Sequence, residues 1–134
     1  MPALNFQERF APLVESGEKR QTIRAYRKDK RDPKVGDTLY LYTGMRTKAC
    51  RKLMESRCTD VRRFEIHVTD EGGLYWLLGE DATDDHCQVL TTDECAQIAI
   101  ADGFNGHYAM TDWFDKTHGL PFEGLLIRWG KPDA

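Results

Sequence analysis

The segment Gly17–Arg24, GEKRQTIR, places an amine, a hydroxyl and a guanidinium within one short stretch. If a strand begins near Arg20, Thr22 and Arg24 share one of its faces. Lys19 then reaches the Thr22 side from the preceding turn, where we expect it to be exposed. An amine with a lowered pKa can deprotonate a nearby hydroxyl, which would make Thr22 a nucleophile. A basic surface turn that begins a strand is the alternative interpretation.

A second basic group follows the strand predicted at residues 37–43. It begins at Tyr42 and continues with Arg46, Lys48, Arg51 and Lys52. Hydroxyls, a glycine and cations directly after a strand can hold a phosphate or the polar edge of a base. We expect this group to bind an anion, above all RNA phosphate, and a solvated basic loop is the alternative.

Aromatic and thiol side chains offer further candidates. Tyr42 and Phe104 flank the predicted site and are expected to stack on a base. His67 and His107 could act as general bases, but no nucleophile motif accompanies them, and we expect structural roles. The four cysteines, Cys50, Cys58, Cys87 and Cys95, lack the close pairs of zinc sites, so we expect reduced thiols, no metal and no cofactor.

The chain resembles the ASCH domain family in three segments. GEKRQTIR matches G-x-K-x-x-T-x-R, a form of that family's signature. The segment GDTLYLYTG resembles its G-D-x-L-x-L strand, and Ala101–Phe104 resembles its acid-Gly-aromatic segment at the end of a helix. With the order of the helices, the resemblance extends over most of residues 6–129. It implies a β-barrel similar to the PUA RNA-binding domain.

One ASCH branch, which uses the Thr form of the motif, deacetylates N4-acetylcytidine. The resemblance implies that Lys19 is the base, Thr22 the nucleophile and Arg24 a supporting or substrate-binding residue. Asp102 takes the position of the branch's Glu, with Glu94 as a less favoured alternative acid. We therefore expect an amidohydrolase that removes an acyl group from the exocyclic amine of cytidine.

Two other functions remain open. In an RNA-binding module without chemistry, Lys19, Arg24, Arg46, Lys48 and Arg51 would contact phosphates while aromatic side chains stack on bases. In a single-strand ribonuclease, which the ASCH resemblance also allows, Lys19 and Arg46 would stabilise the phosphorane. The expected partner is accordingly a modified nucleoside or single-stranded RNA.

These side chains must be positioned by a mixture of helices and strands. Apolar spacing predicts a helix from Phe6 to about Ser16, ended by Gly17, and further helices at 95–101 and 107–116. Strands are predicted at 21–26, 37–43, 58–69, 72–79 and 122–129, whereas 44–56 reads as a loop or an irregular turn of helix. Helices that interrupt strands in this order favour an α+β fold, a small PUA-like/ASCH β-barrel with flanking helices.

Composition limits the class of protein. A chain of 134 residues, 40% hydrophobic, fits one domain over residues 1–134. The net charge of −3 hides an asymmetry: residues 1–67 hold 16 Lys and Arg against 9 Asp and Glu, and residues 68–134 hold 3 against 13. The basic half could attract phosphates, or the two halves could pair across the fold. No apolar run approaches the roughly 20 residues of a membrane span, and no secretory signal begins the chain, so we expect a cytoplasmic location without membrane contact.

Overall fold

The computed structural model describes residues 3–130, and residues 1, 2 and 131–134 lie outside that range. The described residues form an α+β fold, which confirms the predicted class. Seven strands and three helices follow one another in chain order. They are β1 (Ala3–Phe6), α1 (Ala11–Ser16), β2 (Gln21–Ala25), β3 (Thr38–Thr43), β4 (Arg51–Val68), β5 (Leu74–Leu78), β6 (Gln88–Val89), α2 (Thr92–Ala101), α3 (His107–His118) and β7 (Phe122–Trp129).

The long strand β4 organises the sheet. Its first part pairs with β3, and its second part pairs with both β5 and β7. Strand β2 pairs with β7, and β6 with β5, whereas β1 runs parallel to β3. The other pairings are antiparallel. Every other strand thus pairs either with β4 itself or with a strand that pairs with β4.

The sheet is not closed into a barrel. Within residues 3–130, no backbone ladder joins β1 to β2. Two arginine side chains bridge these strands instead: Arg24 Nη2 donates to the carbonyl of Asn5 at 2.5 Å, and Arg27 Nη2 to the carbonyl of Ala3 at 2.9 Å. The closed barrel expected from the resemblance is therefore not seen, although β1 and β2 lie close together.

Alternation along β3 builds one wall of the core. Leu39 and Leu41 are buried on one face, and Tyr40 and Tyr42 are half-buried on the other, as the sequence pattern predicts. The core continues into β4 through Phe64 and into the helices, with Val14 of α1 fully buried. The sheet and its helices therefore share one hydrophobic core.

Two predicted elements need correction. Phe6 belongs to strand β1, and α1 begins only at Ala11, because the apolar spacing from Phe6 to Phe10 crosses a turn. Strand β4 begins at Arg51 and not at 58, so part of the segment interpreted as a loop or helical turn is strand. The predicted strands near 21–26, 37–43, 72–79 and 122–129, and the two later helices, are confirmed with small changes at their ends.

Helix α2 ends at Asp102, the acid of the predicted site. Its N-cap Thr91 forms a capping box with Glu94, which fixes the first turn. Asp102 is the C-cap residue, and Gly103 follows at φ +98°, where a Cβ would lie 2.8 Å from Phe10 Cδ1. This close approach brings the end of α2 against the start of α1, where Phe10 is the N-cap. Within residues 3–130, the helices are too short or too polar to cross a membrane.

Candidate active site

The predicted catalytic residues line one cavity of about 270 Å³. Lys19, Thr22, Arg24 and Asp102 contribute the polar part of its wall, and Phe104 belongs to the apolar part. These residues come from the turn after α1, from β2 and from the end of α2. The structure therefore brings together side chains that are about 80 residues apart in the sequence, since Lys19 and Asp102 differ by 83 positions.

Lys19 is buried, which corrects the expectation of an exposed side chain at a turn. Helix α1 ends at Gly17 with φ +84°, and the backbone N–H of Lys19 then bonds to the carbonyl of Leu13 at 2.9 Å. This turn directs the side chain inward, and Lys19 is only 2% exposed. The amine lies 5.0 Å from the ring centre of Phe10 and 5.7 Å from that of Phe6.

Asp102 is the counter-ion of Lys19. Lys19 Nζ lies 3.1 Å from Asp102 Oδ1 and donates to the main-chain carbonyl of Asp102 at 2.5 Å. Both side chains are almost fully excluded from solvent. A carboxylate and an amine in a site of low polarity interact much more strongly than the same groups in water. The wall of the cavity thus contains a buried ion pair.

Burial controls the protonation of this pair. Loss of hydration lowers the pKa of the Lys19 amine, and the attraction of Asp102 opposes that shift. The pKa of the Asp102 carboxyl is raised by the same loss of hydration, against the opposing effect of Lys19. Both shifts favour a neutral amine beside a neutral carboxyl. That form supplies a proton acceptor and a proton donor within one hydrogen-bond distance.

Thr22 and Arg24 share a face of β2, as their spacing predicts. Arg24 Nε donates a hydrogen bond to Thr22 Oγ1 at 2.9 Å, and Thr22 is 4% exposed. Burial, followed by repulsion from Arg27, lowers the pKa of Arg24 to about 10 against the attraction of Asp102. Arg24 is therefore still charged at neutral pH. A guanidinium bonded to the hydroxyl stabilises the alkoxide that forms when Thr22 loses its proton.

Gln21 is a site residue that sequence reasoning missed. It is 3% exposed, and its Nε2 donates to Ile98 O at 3.1 Å and to Asp102 Oδ1 at 3.4 Å. Arg128 Nε in turn donates to Gln21 Oε1 at 3.5 Å. Gln21 thereby orients the carboxyl of Asp102. A glutamine at a strand start gives no signal of this role, because its partners lie on α2 and β7.

The rest of the cavity wall was also missed by sequence reasoning. Much of it comes from β1, from the turn that follows it and from α3, and includes Asn5, Gln7, Trp113, Thr117 and His118. Burial lowers the pKa of His118, whose ring stacks on Phe114 with centroids 5.6 Å apart. The histidines considered from the sequence, His67 and His107, do not line this cavity.

The two predicted stacking residues differ in position. Phe104 lines the cavity but is 8% exposed, and its ring packs against Phe10 and Trp113 with centroids 5.6 and 5.9 Å apart. It is a fixed apolar wall for a ligand. Tyr42 lies on the half-buried face of β3, opposite Asn5 in the ladder, and is not part of the cavity wall.

The structure places the residues of the second basic group in different surroundings. Arg46, at φ +66°, lines a wide neighbouring cavity of about 710 Å³ together with Arg24, Arg27 and Lys28. Asn5 and Arg24 belong to the walls of both cavities, which therefore adjoin. Lys48 does not line either one, and Arg51 pairs with Glu15 at 2.9 Å.

Glu94, the alternative acid, has a structural role at the far end of α2. Its Oε1 accepts from the backbone N–H of Thr91 at 2.9 Å, and its own N–H bonds to Thr91 Oγ1. Eight residues of helix separate Glu94 from Asp102, which corresponds to about 12 Å along the axis. Of these two acids, Asp102 is thus the one that contacts Lys19.

Comparisons with known proteins add no relative to these observations. No protein-family model matches the chain, and the searches of curated proteins and of solved structures likewise gave no match.

Proposed function

We propose that this chain is an ASCH-type amidohydrolase that removes an acyl group from the exocyclic amine of cytidine. The observation that carries the proposal is the buried Lys19–Asp102 pair, which lines the same cavity as Thr22. The proposal includes a PUA-like barrel as the fold. The bridges from Arg24 and Arg27 to β1 support it, since they connect the two strands that such a barrel would bring together.

Acylation begins at Thr22. Neutral Lys19 accepts the hydroxyl proton, and Thr22 Oγ1 forms a bond to the amide carbon while the carbonyl π electrons move to its oxygen. Arg24, already bonded to Oγ1, offsets the negative charge as it develops. The intermediate collapses with cleavage of the C–N bond. The departing N4 nitrogen takes a proton from Asp102 or from the Lys19 ammonium, and the acyl group remains on Thr22.

Deacylation reverses these roles with water. Lys19, again neutral, accepts a proton from a water molecule that attacks the ester carbon, and Thr22 leaves with a proton returned from the pair. Carboxylate and free cytidine are the products. Burial favours the neutral amine that both half-reactions require. A solvent-exposed lysine with its ordinary pKa would be protonated at neutral pH and could not serve as this base.

Cavity size supports an acylated base as the group that enters. At about 270 Å³, the cavity lies just below the usual lower limit of sites for small molecules, roughly 300 Å³, so it has room for a base but not for a whole nucleoside. The ribose would then lie toward the adjoining wide cavity, where Arg46 and Lys28 stand beside Arg24. The flat, apolar ring of Phe104 is suited to contact with a base.

A second candidate, RNA binding without chemistry, is favoured by the same wide cavity. Four cations, Arg24, Arg27, Lys28 and Arg46, line it against one acid, Asp29, and such an excess of positive charge suits a phosphate backbone. Ribonuclease action is less well supported. Lys19 and Arg46, which would act together on the phosphorane, line different cavities.

Conversion of N4-acetylcytidine to cytidine, followed by chromatography, tests the proposal. We expect Thr22→Val and Lys19→Met to reduce kcat/KM by at least about a hundredfold, because each removes a group that acts in the transition state. Matched controls are Thr117→Val, at the cavity wall, and the exposed Lys48→Met. They and Glu94→Gln should stay within about threefold of the unaltered protein.

Two results would reject the amidohydrolase. One is absence of turnover by the unaltered protein at high enzyme concentration. The other is full turnover by folded Thr22→Val or Lys19→Met protein. In the first case, salt-dependent binding of single-stranded RNA that weakens in Arg46→Gln would support the second candidate.

A further inference from the structure

A second group of titratable side chains lies on strands β4 and β7, away from the cavity. Alternation along β4 buries Phe64 and Ile66 in the core and places Glu65 and His67 on the other face. The β4–β7 register sets Glu123 directly opposite Glu65. Within residues 3–130, this is the one trio of His, Cys, Asp and Glu side chains whose potential ligand atoms all lie within 4.8 Å of one another.

The protein balances only part of the charge of this trio. Two carboxylates directly opposite each other in a ladder repel. Arg63 Nε holds Glu65 Oε2 at 2.6 Å, which compensates one of them. In the described part of the chain, Glu123 forms no ion pair. A cation bound between Glu65 and Glu123 would remove this repulsion.

The donor atoms are those of a transition-metal site. Imidazole nitrogen and carboxylate oxygen are both ligands of Zn²⁺ and related ions, whereas Mg²⁺ and Ca²⁺ prefer oxygen ligands alone. His67 Nε2 already lies 2.6 Å from Glu65 Oε1. Small side-chain rotations would aim both atoms at one ion and leave a fourth position for water.

Neighbouring side chains hold the ligands in orientation. The His67 ring stacks on Tyr75, its partner across the β4–β5 ladder, with centroids 5.2 Å apart and planes at 17°. Arg63 fixes the Glu65 oxygen that would not bind the ion. Hydrogen bonds of this kind orient the ligands of metal sites and raise their affinity.

We propose that Glu65, His67 and Glu123 bind a divalent transition-metal ion of the Zn²⁺ class. The site is independent of the cavity that holds Thr22. Its ligands come from paired strands of the sheet, which keeps the spacing of their backbones fixed with or without the ion.

Titration of the tag-free full chain with Co²⁺, followed by visible absorption, and with Zn²⁺, followed by calorimetry, tests this site. We expect one ion per chain, with affinity reduced at least tenfold in both His67→Gln and Glu123→Gln. These variants are chosen because Glu65 is buried in an ion pair, and its replacement could disturb folding. His86→Gln, an exposed histidine in the acidic loop, and Thr22→Val should bind normally.

The proposal is overturned if the chain shows no saturable binding of either ion. It is also overturned if binding persists in both His67→Gln and Glu123→Gln, or if it is lost in His86→Gln, which would place the ion on the loop. Because Thr22→Val retains this site, failure of the amidohydrolase and failure of the metal site are distinguishable.

Discussion

At the scale of single residues, the proposed chemistry depends on one amine and one carboxyl group that are buried side by side. Lys19 and Asp102 are each more than nine-tenths buried, and burial moves their pKa values in opposite directions. Their ion pair and hydrogen bonds offset part of the cost of burying the two groups. In the proposed reaction, the neutral amine acts as the base and the neutral carboxyl as the acid.

Asp102→Asn tests the energetic part of this account. It leaves Lys19 buried without its counter-charge, and we expect the free energy of unfolding to fall by about 3 kcal/mol. Asp112→Asn is the matched control, because Asp112 pairs with Lys116 on the exposed side of α3. That change should cost less than about 0.5 kcal/mol. Urea unfolding curves of both variants provide the measurement, and equal stabilities would contradict the account.

The pH dependence of turnover tests the protonation state. Activity should rise with pH as Lys19 loses its proton, and burial places this rise below the pH expected for an ordinary lysine. Asp102 opposes that shift, so its replacement in Asp102→Asn should lower the pKa of Lys19 further and move the rise to still lower pH. The measurement is kcat/KM as a function of pH for the unaltered protein and for Asp102→Asn. A rise that moves to higher pH in the variant would show that Lys19 is not the titrating group.

Spacing predicted that Thr22 and Arg24 share a face of β2, and the structure confirms this. The catalytic roles of Lys19, Thr22 and Asp102 come from the ASCH resemblance and stay predictions. The burial of Lys19 could not be predicted from the sequence. It depends on the turn at Gly17 and on the rings of Phe6 and Phe10, which close around the amine only after folding.

At the scale of elements, the site depends on how closely β7 approaches β2. A Cβ on Gly124 would lie 2.2 Å from the carbonyl oxygen of Arg24, so a larger residue must push the strands apart. Thr22 is paired with Ile127 in the same ladder. The backbone that carries the proposed nucleophile is therefore positioned by a glycine on another strand.

Gly124→Ala should lower the free energy of unfolding by about 3 kcal/mol, since neither backbone can yield without losing ladder hydrogen bonds. Gly106→Ala is the control: its backbone is extended, and nothing lies within 4 Å of the added Cβ. We expect less than about 1 kcal/mol there. Thermal and urea unfolding of both variants measure the difference. A Gly124→Ala protein as stable as the control would mean that the strands separate without cost.

Strand β1 and the first part of β4 show why some elements escaped prediction. Strand β1 has only four residues and is held by β3, whose partner residue Tyr42 is 37 positions beyond Asn5. In so short a segment, the alternation of apolar and polar residues cannot be recognised. The first residues of β4 are largely exposed on both faces, which removes the alternation that identifies a strand.

At the scale of the whole molecule, opposite charges of the two sequence halves meet at particular places. Lys19–Asp102 and Arg63–Asp85 join a basic residue of the first half to an acid of the second. Arg27, Lys28 and Arg46, in contrast, line the wide cavity beside the site. The excess positive charge is thus directed to the side where a ribose phosphate would lie.

This arrangement predicts a preference for phosphorylated substrate. The 5′-monophosphate of N4-acetylcytidine should have a KM about threefold below that of the nucleoside at low salt, which corresponds to one exposed ion pair. High salt should remove the difference. Arg46→Gln should also remove it, whereas Lys48→Gln, outside the cavity, should not. Equal KM values at low salt would place the phosphate elsewhere.

The covalent intermediate tests the central claim most directly. The unaltered protein is mixed with N4-acetylcytidine, quenched in acid during turnover, and the peptide that carries Thr22 is analysed by mass spectrometry. The account predicts one acetyl group on Thr22, absent from Thr22→Val protein treated in the same way. Cytidine formation at the normal rate by Thr22→Val, or an acetyl group on a different residue, would contradict it.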